Sequence, residues 1–307
     1  MTRSVILGGA GFLGSHLSDF LIAKNHEVVV VDDLTSGRLE NLGSSIEDKR
    51  VQFIHQNICQ PLNISGNIDF VFNLASPASP PRYMEMQRHT LLTGSIGTKN
   101  GLDLATDKEA RFIQASTSEI YGDPIEHPQK ETYWGNVNPI GPRSCYDESK
   151  RFSEALCIAY VNESRSNVGI ARIFNTYGPR LNPIDGRVVS NMIRQALAND
   201  PLTVYGDGSQ TRSFCYVSDL VRGLASLADS NHLGPLNLGN PQEITINELA
   251  SRILELTKSN SKIQYLDLPT DDPIRRCPDI TLAQKILDWN PEVGLEAGLA
   301  AVISEYI

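Results

Sequence analysis

Along the first 180 residues, short and almost wholly apolar runs alternate with longer segments whose apolar positions recur at helical spacing. The short runs are Val5–Leu7, Val28–Val31, Val51–Ile54, Phe70–Leu74, Phe112–Ile113 and Val168–Ile173. Near-continuous runs of this kind are expected of strands buried on both faces, as in a parallel sheet covered by helices. The stretches Phe12–Ala23, about Gln87–Ala105 and Tyr146–Tyr160 read as helices. Strand, helix and strand in this order predict an α/β fold built on a doubly wound parallel sheet.

Beyond Gly178 the pattern changes. Pro179, Pro183, Pro201, Pro235, Pro241, Pro269, Pro273 and Pro278 punctuate shorter elements. Helices are expected at Val189–Ala198, Ser218–Ala228, Ile246–Thr257, Thr281–Leu287 and Leu295–Ser304. The expected organisation is a dinucleotide-binding domain over residues 1–178. A smaller C-terminal lobe over 179–307 would mainly bind substrate, with segments returning to the first domain.

Composition narrows the class. Of 307 residues, 40% are hydrophobic and 21% charged, as in ordinary globular proteins. No run approaches the roughly 20 apolar residues of a membrane span. A strand begins at Ser4, leaving no room before it for a leader, so a cytoplasmic protein is expected. The net charge is −9 with Lys and Arg scattered, which argues against nucleic acid as a partner. Five cysteines, widely spaced and without a CxxC pair, predict reduced thiols and no metal site.

The chemistry begins after the first strand. Gly8-Gly9-Ala10-Gly11-Phe12-Leu13-Gly14 lies where that strand gives way to a helix. Glycines let the backbone turn tightly and approach a pyrophosphate, which then meets the unpaired N–H groups of the helix start. Asp32 closes the second strand, where a carboxylate can accept hydrogen bonds from ribose hydroxyls and repel a 2′-phosphate. The cofactor expected of this Rossmann arrangement is NAD. Asp33, Thr35, Ser36 and Gly37 follow and could line the ribose side.

Tyr146 and Lys150 stand four residues apart in a helical segment, so both project from one face. A phenol titrates near 10, too high for a base at neutral pH, and a nearby ammonium favours the phenolate. A drop of about 3 units corresponds to roughly 4 kcal/mol, within reach of a close cation in a dry site. Thr117, Ser118 and Glu119 follow a strand, where a doubly wound fold presents side chains to its ligand.

The glycine turn, Tyr146 and Lys150 resemble those of the extended short-chain dehydrogenase/reductases. Longer strings narrow the resemblance: Asn73–Pro81 (NLASPASPP), Ala115–Asp123 (ASTSEIYGD), Asn138–Pro142 (NPIGP), Ala171–Arg180 (ARIFNTYGPR) and Asp185–Ser190 (DGRVVS). Leu202–Gly206, Gln210–Arg212 and Asp271–Asp279 (DDPIRRCPD) continue it. In order, over nearly the whole chain, these are similar to the UDP-glucuronic acid decarboxylase family. That resemblance implies an NAD-dependent route from UDP-glucuronate to UDP-xylose through a 4-keto sugar, with NAD regenerated in each cycle. By position it implies Tyr146 as base with Lys150 as partner, and Thr117, Ser118, Glu119 and Arg276 at the reacting sugar. Substrate contacts are implied for Tyr83, Arg143, Asn175, Arg187, Val188, Tyr205, Gln210 and Arg212, and cofactor contacts for Asn57, Ile58, Leu74, Ala75, Ser76 and Thr93. Arg276 could hold the departing carboxylate or help deliver a proton; Glu119 could orient the sugar, polarise a water or act as an acid or base. A homodimer built on the helices near Gln87–Ala105 and Tyr146–Tyr160 is also implied, with Leu156, Ile158 and Val161 open to either the core or the interface. Three positions depart from the family pattern: Gly94 and Leu92, where Asn and a basic residue are usual, and Asn57, where Asp is usual.

Related chemistry offers alternatives. A nucleotide-sugar 4,6-dehydratase needs an acid where Ser118 stands, and a 4-epimerase has no need of the Ser118–Glu119 pair or the Arg276 segment. A non-catalytic NAD-binding regulator would usually lack one of Tyr146, Lys150 and Thr117, and all three are present.

Overall fold

The computed structural model describes every residue except Arg165, Pro183, Asp185 and Ile307. The Pro183 break and the Asp185 that opens one family-like string therefore lie outside the described residues. Six strands form in the first part of the chain: β1 (Arg3–Leu7), β2 (Glu27–Asp32), β3 (Val51–His55), β4 (Phe70–Asn73), β5 (Arg111–Thr117) and β6 (Val168–Ile173). With the strand Gly234–Leu238 they make one seven-stranded sheet, ordered Gly234–Leu238, β6, β5, β4, β1, β2, β3. Every pairing in it is parallel.

The apolar runs explain the layers. Successive side chains of a strand face opposite ways. Ile6, Val28, Val30, Phe72 and Ile113 meet Leu17, Leu21, Val221 and Leu224, which come from the helices Phe12–Ala23 and Val217–Asp229. Val5, Leu7, Val29, Val31 and Phe112 meet Leu102 and Cys157, from the helices Thr98–Asp107 and Ser144–Ser164. A third core joins Met192, Ile193, Leu249, Ile253, Leu299 and Val302 beneath the strands Leu202–Tyr205 and Ile263–Leu266. There the helix Ile246–Thr257 starts on a capping box, with Thr245 and Glu248 each bonding the other's backbone.

Three elements differ from the sequence expectation. The helix expected near Gln87–Ala105 runs as Gln87–Leu92, a π-helical turn at Thr93–Gly97, and Thr98–Asp107. Both glycines of that turn lie tight against neighbours. A Cβ on Gly94 would come within 2.6 Å of the Ser149 Cβ, and one on Gly97 within 2.5 Å of Ile58 Cδ1. The fifth strand extends well past Ile113 to Thr117, so Ala115–Thr117 belong to the strand rather than to a turn after it. The helix bearing Tyr146 begins at Ser144 and runs to Ser164.

Candidate active site

The sheet order reverses between β1 and β4, and ligands of such sheets bind in the crevice outside the strand ends at that point. Gly8 leaves β1 there with φ +79°, and its α-carbon presses against the chain that leaves β4: a Cβ would lie 2.6 Å from Ala75 Cα. Only glycine satisfies both demands. Gly14, in the first turn of the next helix, packs against Gly8 and Gly9 so closely that a Cβ would meet the Gly8 carbonyl at 2.3 Å.

A cleft opens at this point, lined by Gly8, Gly11, Asp32, Asp33, Thr35, Ser36, Gly37, Asn57, Ile58, Leu74, Ala75, Ser76 and Thr93. Val31, Gln56, Pro77 and His89 complete it. Of these four only Pro77 lies in a quoted string, Asn73–Pro81; Val31, Gln56 and His89 reach the cleft through the strands and helices around it. Phe12 and Leu13 do not line it; their side chains pack on the core, so only their backbone is at the turn.

Asp32 is buried, and its carboxylate accepts from Ala10 N at 3.0 Å and Leu34 N at 2.8 Å. Burial pushes its pKa up, and those two N–H groups act against the rise. The carboxylate thus ties the glycine turn to the end of β2, and each oxygen keeps a lone pair for a ribose hydroxyl. Asn57 donates to Asp33 Oδ2 at 2.8 Å; an ionised aspartate at that position would have no proton to donate and would set a second negative charge beside the first. The departure at residue 57 therefore has a local partner. Glycine backbone, ribose-side carboxylates and amide edges together fit a dinucleotide.

The second half of the site sits at the ends of β5 and the Ser144–Ser164 helix. Lys150 is buried and donates to Ala115 O at 2.9 Å; its Nζ lies 5.8 Å from the Tyr146 ring centroid. Burial alone brings the ammonium down to about 8. Tyr146 moves opposite to the sequence expectation. Burial pushes its phenol up to about 12, and a hydrogen bond with the Thr117 hydroxyl is the leading influence the other way. Desolvation outweighs the neighbours because the ring is covered on one side by Tyr83, stacked at 5.0 Å and 7°. Cys145, beside it, donates to Tyr83 O at 3.4 Å, and burial raises its thiol, so it packs rather than attacks.

Beyond Thr117 lies a knot of charge. Ser118 is buried in the 3₁₀ turn Ser118–Tyr121, and Glu119 follows it. Arg276 grips Glu119 with both ends of its guanidinium, Nη1 to Oε1 and Nη2 to Oε2, the latter at 2.8 Å. Arg143 reaches the same carboxylate at 2.7 Å. Burial disfavours the charge on Glu119, yet the two guanidiniums prevail and hold it well below the usual carboxylate range. Asp272, in the Asp271–Asp279 string, bridges Arg143 at 3.1 Å and Arg212 at 2.9 Å. Arg276 and Arg212 are neighbours because their strands, Arg275–Arg276 and Thr211–Ser213, pair in register.

The remaining predicted residues spread around this knot. Arg187 caps the helix that Val188 opens, and its charge reaches Tyr146. Asn175 joins the segment Thr176–Tyr177 to Cys215 through its carbonyl. Tyr205 and Gln210 form a separate patch, where Gln210 donates to Tyr205 O at 2.6 Å and the Tyr205 side chain stays exposed. Sequence reasoning missed Asp147 and Asp272, although one adjoins Tyr146 and the other lies inside a quoted string.

Residues 4–239 match the model of the NAD dependent epimerase/dehydratase family. The chain is 53% identical over 304 residues to UDP-glucuronic acid decarboxylase 1 of Danio rerio, covering 99% of this chain and 72% of that one. With UDP-glucuronic acid decarboxylase 3 of Arabidopsis thaliana it shares 49% over 305 residues, covering 99% and 89%. Among solved structures it resembles UDP-glucuronic acid 4-epimerase of Bacillus cereus, crystallised with UDP-glucuronic acid and NAD. That match has a TM-score of 0.88 and 27% identity, and covers 99% and 98% of the two chains. UDP-glucose 4-epimerase of Thermotoga maritima gives a TM-score of 0.90 at 27% identity, with the same coverage. Glycine turn, Tyr146–Lys150 pair and full-length likeness agree: the chain belongs to the NAD dependent epimerase/dehydratase family, the family that holds the UDP-glucuronic acid decarboxylases.

Proposed function

We propose that this protein is an NAD-dependent decarboxylase that converts UDP-glucuronate to UDP-xylose. The near-full-length identity to UDP-glucuronic acid decarboxylases carries the reading. The arginine knot around Glu119 supports it, since guanidinium forks suit carboxylate and diphosphate groups.

NAD, when bound, supplies the hydride acceptor and donor and a positive charge that favours the Tyr146 phenolate. Gly8, Gly11, Asp32, Asp33, Asn57, Ile58 and Thr93 would hold it. Tyr146 takes the proton of the C4 hydroxyl, with Thr117 bonded to the phenol and Lys150 behind it. The C5 carboxylate is then β to a ketone, so CO2 can leave while the electron pair is delocalised onto the C4 oxygen. The Thr117 and Tyr146 hydroxyls stabilise that charge by hydrogen bonding. Glu119, held anionic by Arg276 and Arg143, orients these two arginines toward the sugar and is not a proton donor. Tyr146 returns its proton to the C4 oxygen as the alcohol re-forms.

The experiment is incubation of the protein with NAD and UDP-glucuronate. CO2 with UDP-xylose is expected. UDP-galacturonate would make the protein a 4-epimerase like its structural neighbour, and a keto-deoxy sugar a dehydratase; either overturns the reading.

A homodimer and a cytoplasmic setting belong to the same proposal. Leu92, Ile96, Phe152 and Ile158 are between 39 and 50% exposed on two helical segments that pack together, a patch fit for a second copy. Leu156 and Val161 instead pack against the core. All five cysteines are free, as in a reducing compartment, and no helix among the described residues is long and apolar enough to cross a membrane.

A further inference from the structure

Tyr146, Lys150 and Glu154 follow one another at intervals of four along the Ser144–Ser164 helix, so they share a face, and each meets the end of β5. Tyr146 bonds with the Thr117 hydroxyl, Lys150 donates to Ala115 O at 2.9 Å, and Glu154 Oε1 accepts from the Ser116 hydroxyl. The proposed chemistry uses the first two residues of that face. It gives the third no task.

Glu154 is held by Arg172, which lies in the string Ala171–Arg180 and stands opposite Ser116 where β5 pairs with β6. Its Nε donates to Glu154 Oε1 at 3.0 Å and its Nη2 to Oε2 at 2.7 Å. The other arm, Nη1, donates to the Tyr121 hydroxyl at 3.0 Å and to Glu131 O at 2.8 Å. Tyr121 ends the 3₁₀ turn that carries Ser118 and Glu119. Its hydroxyl donates onward to Asn237 Oδ1 at 2.8 Å, and Asn237 donates to Gln129 O at 3.0 Å. Gln129 Oε1 accepts from Cys277 N at 2.8 Å, one residue past Arg276. Arg172, Tyr121, Asn237 and Gln129 are all buried. A continuous chain of hydrogen bonds, branching at Arg172, thus joins the helix of Tyr146 to the turn of Glu119 and the strand of Arg276. A guanidinium is planar and rigid, so fixing one edge fixes the direction of the other. An apolar pair of the same volume often holds a core as well as a buried ion pair does, but it carries no such direction.

We propose that Arg172 is a positioning residue for the reaction: through Glu154 it sets the Tyr146–Lys150 helix, and through Tyr121 it sets the turn of Glu119, so that the two halves of the site keep one alignment. It acts through these side chains and is not itself a reacting group. The inference rests on the decarboxylase reading, so CO2 and UDP-xylose from the unaltered protein are measured first; if neither appears, that reading fails before Arg172 is tested.

The test uses Arg172→Lys, which keeps a positive charge beside Glu154 but lacks the fork, so it can hold Glu154 or Tyr121 and not both. Its kcat should fall by about 10–10²-fold, the effect of a small misplacement of reacting groups. KM for UDP-glucuronate and the calorimetric Kd for NAD should stay within about threefold, since no binding contact is lost. Tyr121→Phe removes only the hydroxyl that receives the second arm, and should lower kcat by at least about threefold with the same split. The two changes in one protein should lower kcat no further than Arg172→Lys alone, because both break the same link. A merely structural role gives another pattern, in which Tm falls while the folded fraction turns over at the parent's kcat. That pattern, or two effects on kcat that multiply, would overturn the proposal. Should Arg172→Lys not fold, Tyr121→Phe decides: a parental kcat overturns the proposal, and a lowered kcat with KM and NAD affinity unchanged supports it.

Discussion

Replacing Gly94 with alanine puts one methyl group where the structure has no room. The new Cβ would stand 2.6 Å from Ser149 Cβ, 2.9 Å from its Oγ and 3.0 Å from its carbonyl oxygen. Ser149 cannot swing aside freely, because it is buried and its hydroxyl donates to Tyr146 O at 2.7 Å. Overpacking of this kind costs about 1–3 kcal/mol. Alanine gains back up to about 1 kcal/mol over glycine in a helix, leaving a net loss of about 1–2 kcal/mol. For a chain of this size that is a fall in Tm of about 2–6 °C. The clash is mostly with one side chain, so Gly94→Ala combined with Ser149→Gly should recover most of the loss. Thermal unfolding of the four proteins of that cycle should give a coupling of about 1 kcal/mol or more. Because Ser149 lies three residues after Tyr146 and one before Lys150, kcat should fall in Gly94→Ala and recover in the double variant. Strictly additive effects on Tm, or a Gly94→Ala protein as stable as the parent, would show that the turn at Thr93–Gly97 has slack the structure does not show.

Glu119→Gln removes the charge shared by Arg276 and Arg143; Arg143 keeps Asp272, but the buried Arg276 loses its carboxylate, which should cost about 3–5 kcal/mol, read by denaturant unfolding. The folded pKa of Glu119 is depressed, so its stabilisation is complete above the unfolded value near 4.3 and is lost only as pH falls toward about 2; stability from pH 5 to 8 should not report on it. Tyr146→Phe should lower kcat by about 10²–10⁴-fold in the UDP-xylose assay while NAD binding by calorimetry stays within a few fold, because the proposed reaction uses the phenol as base and the phenol is not a wall of the dinucleotide cleft. Phe152→Glu, placing charge in the exposed apolar patch, should shift the sedimentation of the protein to that of a monomer, and an unchanged value would remove that face as an interface.

Much of this site could be read from short stretches of sequence. The apolar runs mark β1 to β6 because a strand buried on both faces has nowhere to place a polar side chain. The glycine turn and Asp32 announce themselves because they are confined to one strand–turn–helix unit and its successor. Tyr146 and Lys150 do so because a helix brings residues four apart to one face. The fifth strand reads short at Ile113, since Gln114, Ser116 and Thr117 are polar and yet buried, Gln114 bonded to Asn73 and Ser116 to Glu154, both distant in sequence. Gly94 read as a lost contact, and its reason became visible only when Ser149 stood against it.

By itself, then, the chain determines its sheet, its nucleotide turn and the tyrosine–lysine pair, all of which follow from periodicity and local backbone geometry. Tertiary structure decides the charges. It carries Arg276 across 157 residues to Glu119 and Asp272 across 129 to Arg143, pairings with no local signature. It also sets the protonation of Tyr146, Lys150 and Asp147, because the cost of charge depends on how much water the folded chain removes, and no spacing of residues encodes that.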